Sequence, residues 1–186
     1  MMRIIAGKAR GTKLNTLEGL NTRPTSERTK EAVFSMINFN IPESNVLDMF
    51  AGSGQMGLEA LSRGATKATF IDQAKEAVAI VNQNVKKTHF EDVSTVITSE
   101  FSASLKKLSG KERYDIVFVD PPYASDCLIK ALKCLVEYDL LNEGAIIVCE
   151  SGKEDIFEGD DKIKESFQVK KTSKYGVAYI TILIYK

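Results

Sequence analysis

Val46-Leu47-Asp48-Met49-Phe50-Ala51-Gly52-Ser53-Gly54-Gln55-Met56-Gly57 decides how this chain folds. A short apolar run ends in a carboxylate and an aromatic ring, then breaks into G-S-G-Q-M-G. The stretch Leu58-Glu59-Ala60-Leu61 continues as a helix. Strand, glycine loop and helix in that order read as the first unit of a parallel α/β sheet. The glycines bring backbone close to a ligand and the helix N-terminus supplies free N–H groups. Asp72 ends the next apolar run, 20 residues after Gly52, where an acid can accept from ribose hydroxyls.

Two cofactor classes share that pattern. A dinucleotide places its pyrophosphate against the loop, and Asp48 beside the first glycine would repel it. The same carboxylate suits a ligand carrying an ammonium group. S-adenosylmethionine has an ammonium, a sulfonium and a ribose but no phosphate, and its spent product is S-adenosylhomocysteine.

A second motif lies one sheet's spacing away. The apolar run Ile116-Val117-Phe118-Val119 ends in Asp120-Pro121-Pro122-Tyr123. Prolines cannot donate to a strand ladder and each fixes its own φ, so the exit is extended and stiff. That corner sets a carboxylate, a backbone carbonyl and a flat ring at fixed separation, a socket for a planar group with N–H donors. A lone D-P-P-Y reads equally well as a rigid strand exit; the glycine loop upstream is what gives it chemical meaning.

The two motifs together resemble class I methyltransferases that modify exocyclic amines of nucleobases. The likeness extends to the opening Met2-Arg3-Ile4-Ile5-Ala6-Gly7-Lys8-Ala9-Arg10-Gly11, to Arg23-Pro24-Thr25 with Arg28 and Glu31, and to Gly57-Leu58-Glu59-Ala60-Leu61-Ser62-Arg63-Gly64-Ala65. Over nearly the whole length the chain is similar to the RsmD family, bacterial 16S ribosomal RNA guanine-N2 methyltransferases. The resemblance implies a Rossmann-like fold, an S-adenosylmethionine cofactor without metal, and a guanine of 16S ribosomal RNA as substrate. It places Asp120, Pro121, Pro122 and Tyr123 at the catalytic corner. It places Asp48, Phe50, Gly52, Ser53, Gly54, Asp72, Ser99, Glu100 and Phe101 around the cofactor. Glu100 stands where that family usually carries a shorter Asp or Asn, and Gln55 and Met56 replace smaller loop residues. Two other readings of the motifs are an adenine-N6 or other nucleic-acid amine methyltransferase, and a ribosome-assembly binding protein without catalysis. The second of these would show a damaged loop or corner.

At 186 residues the chain has room for one full core. No apolar run approaches the roughly 20 residues of a membrane helix, and the N-terminus lacks a signal-peptide core, so a cytoplasmic protein is expected. Cys127, Cys134 and Cys149 are odd in number and lack metal spacing, which reads as reduced core thiols. Formal net charge is zero, yet Arg3, Lys8, Arg10, Lys13, Arg23, Arg28 and Lys30 face only Glu18 and Glu27 within the first 30 residues. That local excess is an expected footprint for RNA phosphates, positioning the RNA without reading its bases. A solvated arm would carry the same charges.

Ser26 is a candidate cap for a helix from about Glu27 to Asn38. Strands are predicted at 45–50, 67–72, 93–98, 114–120 and 144–150, with helices near 55–63, 74–88, 100–108 and 125–137. Residues 166–173 and 177–185, around Tyr175-Gly176, are close enough to pair antiparallel. The expected architecture is α/β: a mostly parallel seven-stranded sheet with a C-terminal antiparallel hairpin. Residues 1–44 form a basic, RNA-contacting extension, and residues 45–186 form the methyltransferase domain. A monomer acting on a partly assembled small ribosomal subunit completes the expectation. His89, the single histidine, reads as an exposed residue after a helix.

Overall fold

The structure is a computed structural model that describes residues 2–16, 27–122 and 126–186. Its sheet holds β1 (Asn45–Asp48), β2 (Lys67–Asp72), β3 (Ser94–Thr98), β4 (Tyr114–Val119), β5 (Leu141–Ser151), β6 (Phe167–Tyr175) and β7 (Ala178–Tyr185). Their spatial order is β3-β2-β1-β4-β5-β7-β6. The first five run parallel, and β7 lies antiparallel to both β5 and β6. The expected α/β architecture is therefore the observed one.

The central strands are apolar throughout because helices cover both faces. Alternation along β1 sends Leu47 to one face, where Val117, Ile147 and Cys149 meet α4 (Phe101–Leu108) and α5 (Cys127–Glu137). Val46 goes to the other face with Phe118 and Val148. There they pack under α1 (Glu27–Met36), α2 (Gln55–Ser62) and α3 (Lys75–Thr88). Ile4, Leu14, Val33, Phe34, Ile37 and Ile41 belong to that second core, so residues 2–16 and α1 are packed onto the same sheet as the rest.

The structure departs from the sequence expectations at several places. β5 begins at Leu141, pairing with Tyr114 before a register shift, although Gly144 (φ +76°) reads in sequence as the strand's boundary. A four-residue α6 (Asp161–Lys164) has no apolar period to announce it; it buries Ile163, and the Asp160 carboxylate caps it from 3.3 Å. α1 stops at Met36, before a short 3-10 turn at Asn38–Asn40. Ser26, its candidate cap, lies outside the described residues. His89 is exposed and closes α3 in the left-handed region at φ +59°. Cys134 and Cys149 are buried thiols, and Cys127 is half-buried. Among the described residues no helix is long and apolar enough to cross a membrane.

Candidate active site

In this strand order the chain reverses direction between β1 and β4, and ligands of open α/β sheets bind beyond the carboxyl ends at such a point. Three carboxylates stand there. Asp48 is level with Phe118, and Phe118 with Val148, so Asp120 and Glu150 lie two residues further along neighbouring strands. Alternation puts all three on the face that carries Val46, Phe118 and Val148. Asp120 and Glu150 stand side by side at the carboxyl ends of β4 and β5, with Asp48 two residues below them on β1. Among the described residues no group of His, Cys, Asp and Glu is placed to hold a metal ion.

Asp48 is buried, with 4% of its surface exposed, and its Oδ2 accepts the Gly57 N–H at 3.0 Å. Burial pushes its pKa up to about 7; the Gly57 N–H opposes the rise and Asp72 adds to it. A carboxylate so disposed gains from a cation beside it. Asp72 ties down the loop from the other side: Oδ2 accepts the Gly52 N–H at 2.9 Å and Oδ1 accepts that of Ala74 at 2.9 Å. Amides that would cradle a pyrophosphate therefore already serve two carboxylates. Each oxygen of Asp72 keeps a further lone pair for a hydroxyl. Gly52 and Gly54 adopt φ +54° and +76°, and a Cβ on Gly52 would meet nothing within 4 Å, so backbone there is open to a ligand. The donor set fits a ligand with an ammonium and a ribose.

Across the rim, Ser99 donates its N–H to the Asp72 carbonyl at 3.1 Å. Glu100 caps α4, its Oε2 accepting from Ala103 N–H at 3.1 Å and Ser102 Oγ at 2.5 Å. Desolvation opposes its charge, but those two donors and Lys130 outweigh it and hold its pKa below the usual carboxylate value. Phe101, expected as a contact, lies in the core and packs its ring 5.2 Å from that of Phe50. Its part is to set the half-buried Phe50 ring at the rim.

Asp120 is open to solvent on its outer side. Its pKa is nonetheless raised by crowding from protein on the inner side, then by Glu150, then by Asp48. Water on the outer side screens those two charges as well as easing the burial. Pro121 is buried and Pro122 exposed. Tyr123 lies outside the described residues, as does Arg23. Glu150 escaped the sequence reading, although it ends the apolar run Ala145–Cys149 just as Asp120 ends its own.

The N-terminal segment docks beside the glycine loop through another residue whose role sequence did not reveal. Glu59 on α2 is fully buried and accepts N–H bonds from Ile5 at 2.8 Å and Ala6 at 3.1 Å. It also pairs with Arg63 at 2.8 Å and with Lys30 at 3.2 Å. This corrects the place of Lys30. Far from meeting RNA, its ammonium is buried, donating to the Arg3 carbonyl at 2.6 Å, and burial lowers its pKa against the pull of Glu59. Gly7 (φ +83°) fits against α2 so closely that a Cβ would sit 1.7 Å from the Ser62 carbonyl oxygen. Asn84 bridges the segment to the loop, donating to the carbonyls of Asn15 at 3.0 Å and Ser53 at 2.8 Å. Of the remaining basic residues, Lys8, Arg10, Lys13 and Arg28 are exposed, while Arg3 pairs with Glu27 at 3.3 Å.

A separate cleft of about 310 Å³, lined by Asn40, Glu43, Asp115, Glu143, Gly144 and Ile146, opens at the amino ends of β1 and β5. Topology and motif chemistry both put the site at the opposite edge.

Comparison with known proteins shows the family. The family described as "Conserved hypothetical protein 95" matches residues 2–184. The chain belongs to that family. Its relatives include "Ribosomal RNA small subunit methyltransferase D" of Haemophilus influenzae, 36% identical over 82% of this chain and 80% of the relative. Another is "Putative rRNA methyltransferase YlbH" of Bacillus subtilis, 35% identical over 82% of this chain and 84% of the relative. The solved structure titled "Putative methyltransferase yhhF from Escherichia coli" superposes with a TM-score of 0.87 at 31% identity, covering 100% of this chain and 98% of that one. The fold is shared with solved S-adenosylmethionine-dependent methyltransferases.

Proposed function

We propose that this protein methylates the exocyclic N2 of a guanine in 16S ribosomal RNA, within an assembling small ribosomal subunit. The observation that carries the reading is the grouping of Asp48, Asp120 and Glu150 at the carboxyl edge. S-adenosylmethionine supplies the methyl group, made electrophilic by its sulfonium. Asp48 would hold the cofactor's ammonium, Asp72 its ribose, and Phe50 with Ser99 and Glu100 would flank its adenine.

The acceptor amine is a weak nucleophile because its lone pair is delocalised into the base. Asp120 and the Pro121 carbonyl each accept one amine N–H, which turns the lone pair out of the ring plane toward the methyl donor. Such alignment lowers the barrier by several kcal/mol, of the about 7–11 kcal/mol that full positioning can supply. The Asp120 carboxylate then stabilises positive charge developing on nitrogen. Its raised pKa suits it to take the released proton, which leaves through the open side of the rim. Tyr123 would stack on the base, which must leave its helix or loop to enter.

Glu150 supports guanine as the base. One strand beyond Asp120 it meets the next position on the base edge, where guanine presents an N1–H donor and adenine an acceptor lone pair. A carboxylate attracts the first and repels the second. Labelled methyl transfer to small subunits from cells lacking the enzyme, followed by nuclease digestion, tests the reading. N2-methylguanine in 16S RNA is the expected product; N6-methyladenine would overturn the choice of base.

A further inference from the structure

Basic charge in this chain gathers at both ends. Residues 31–161 hold 12 lysines and arginines against 22 acids. Residues 162–186 reverse that balance, with Lys162, Lys164, Lys170, Lys171, Lys174 and Lys186 against Glu165 alone. These residues build α6 and the β6–β7 hairpin, the edge of the sheet.

Register fixes where the hairpin points. Tyr179 is level with Ser151, the last residue of β5, so the turn at Gly176-Val177 reaches past the same sheet edge that carries Asp120 and Glu150. Val177 at this tip is 67% exposed. A bulge between Val169 and Lys171 shifts the alternation of β6, so Lys171 shares a face with Tyr175 while Lys174 takes the other. Lys174 stands over the Tyr179 ring, 5.2 Å from its centre. Lysines 170, 171 and 174 are exposed, and among the described residues no acid forms an ion pair with them. From 170 to 174 the strand spans about 14 Å at 3.4 Å per residue, a length over which a nucleic-acid strand carries several phosphates.

We infer that the β6–β7 hairpin is a second RNA-holding surface, with Lys170, Lys171 and Lys174 gripping the phosphate backbone of the strand whose base enters at Asp120. This rests on the RNA reading above and extends it. The N-terminal segment holds RNA beside the cofactor loop, and the hairpin holds it on the far side of β5. A strand running along the sheet edge, rather than across one face, meets all three lysines. Lysines on an edge strand also deter pairing with other chains; that role alone would leave RNA binding indifferent to their sign.

The test is binding of small ribosomal subunits from cells lacking the enzyme, measured across a salt series. It compares wild type, a Lys170→Glu/Lys171→Glu/Lys174→Glu variant, and a control reversed at the exposed lysines 106, 107 and 111. Three lost phosphate contacts at about 0.7 each lower the log–log salt slope of the hairpin variant by roughly 2. Thermal unfolding and cofactor affinity should match wild type, and the control should keep the wild-type slope. An unchanged slope in the hairpin variant, or an equal drop in the control, overturns the hairpin as an RNA surface. A wild type with no salt-dependent binding sinks the RNA reading itself, and this inference with it.

Discussion

Asp48→Asn should make the ligand-free protein more stable while weakening its hold on the cofactor. Asp48 is buried, meets one backbone N–H at 3.0 Å, and has its pKa pushed from 3.8 to about 7. A folded-state pKa above the unfolded one means that the folded form binds the proton more tightly. Stability is then lost as pH climbs from the unfolded value through the folded one. At 1.36 kcal/mol per unit, the ionised group costs the fold about 4 kcal/mol at pH 8 and about 1–2 kcal/mol at pH 5. Asparagine keeps an acceptor for the Gly57 N–H and carries no charge. Urea unfolding without ligand should show the variant ahead by amounts of that order at each pH, so that its advantage grows between pH 5 and 8. Cofactor titration should show affinity reduced, because the ammonium loses its counter-charge. A variant less stable than wild type at pH 8, or ahead by the same amount at both pH values, refutes the reasoning.

Glu59→Ala should cost about 3–5 kcal/mol, since it strands a buried ammonium and two amides, whereas Lys30→Met leaves Glu59 its amides and Arg63 and should cost about 1–2 kcal/mol. Equal losses by thermal unfolding would contradict that hierarchy. Glu150→Gln removes a charge that raises the Asp120 pKa, so the acid limb of the transfer-rate profile should move to lower pH. The same variant should narrow the preference for guanine over 2-aminopurine at the target position, because 2-aminopurine has the amine but no N1–H. A limb and a preference that both stay put would remove Glu150 from the site. Gly7→Ala should undock the N-terminal segment, seen as faster proteolysis before residue 16 with the sheet's circular dichroism retained. Unaltered proteolysis would show that the close approach of Gly7 to Ser62 is not needed.

What sequence could reveal here followed from whether a signal was local. The strands β1, β2 and β4 and the Ala145–Cys149 stretch of β5 are largely buried on both faces, and their apolar runs mark them in the sequence; β3, at the sheet edge, is only partly buried and is marked by Val96-Ile97 alone. Asp48, Asp72 and Asp120 were legible because each closes such a run. Glu150 closes one too, but it carries no motif beside it. Lys30 was misread because its neighbours in sequence are basic and polar, whereas its partner Glu59 is brought to it only by the packing of α1 on α2. Phe101 follows Glu100 in sequence and so looked like a rim residue; helical geometry turns it inward against Phe50 instead. Asn84 and Gly7 act through contacts made dozens of residues away, which no spacing rule anticipates.

The central claim is that Asp120 activates the acceptor amine and does not hold the cofactor. Asp120→Asn, assayed for S-adenosylmethionine affinity by calorimetry and for labelled transfer to small subunits in single turnover, tests it most directly. The account predicts affinity within about threefold of wild type and transfer reduced by about a thousandfold or more. Transfer near the wild-type rate, or cofactor binding lost along with it, would contradict the role assigned to this residue.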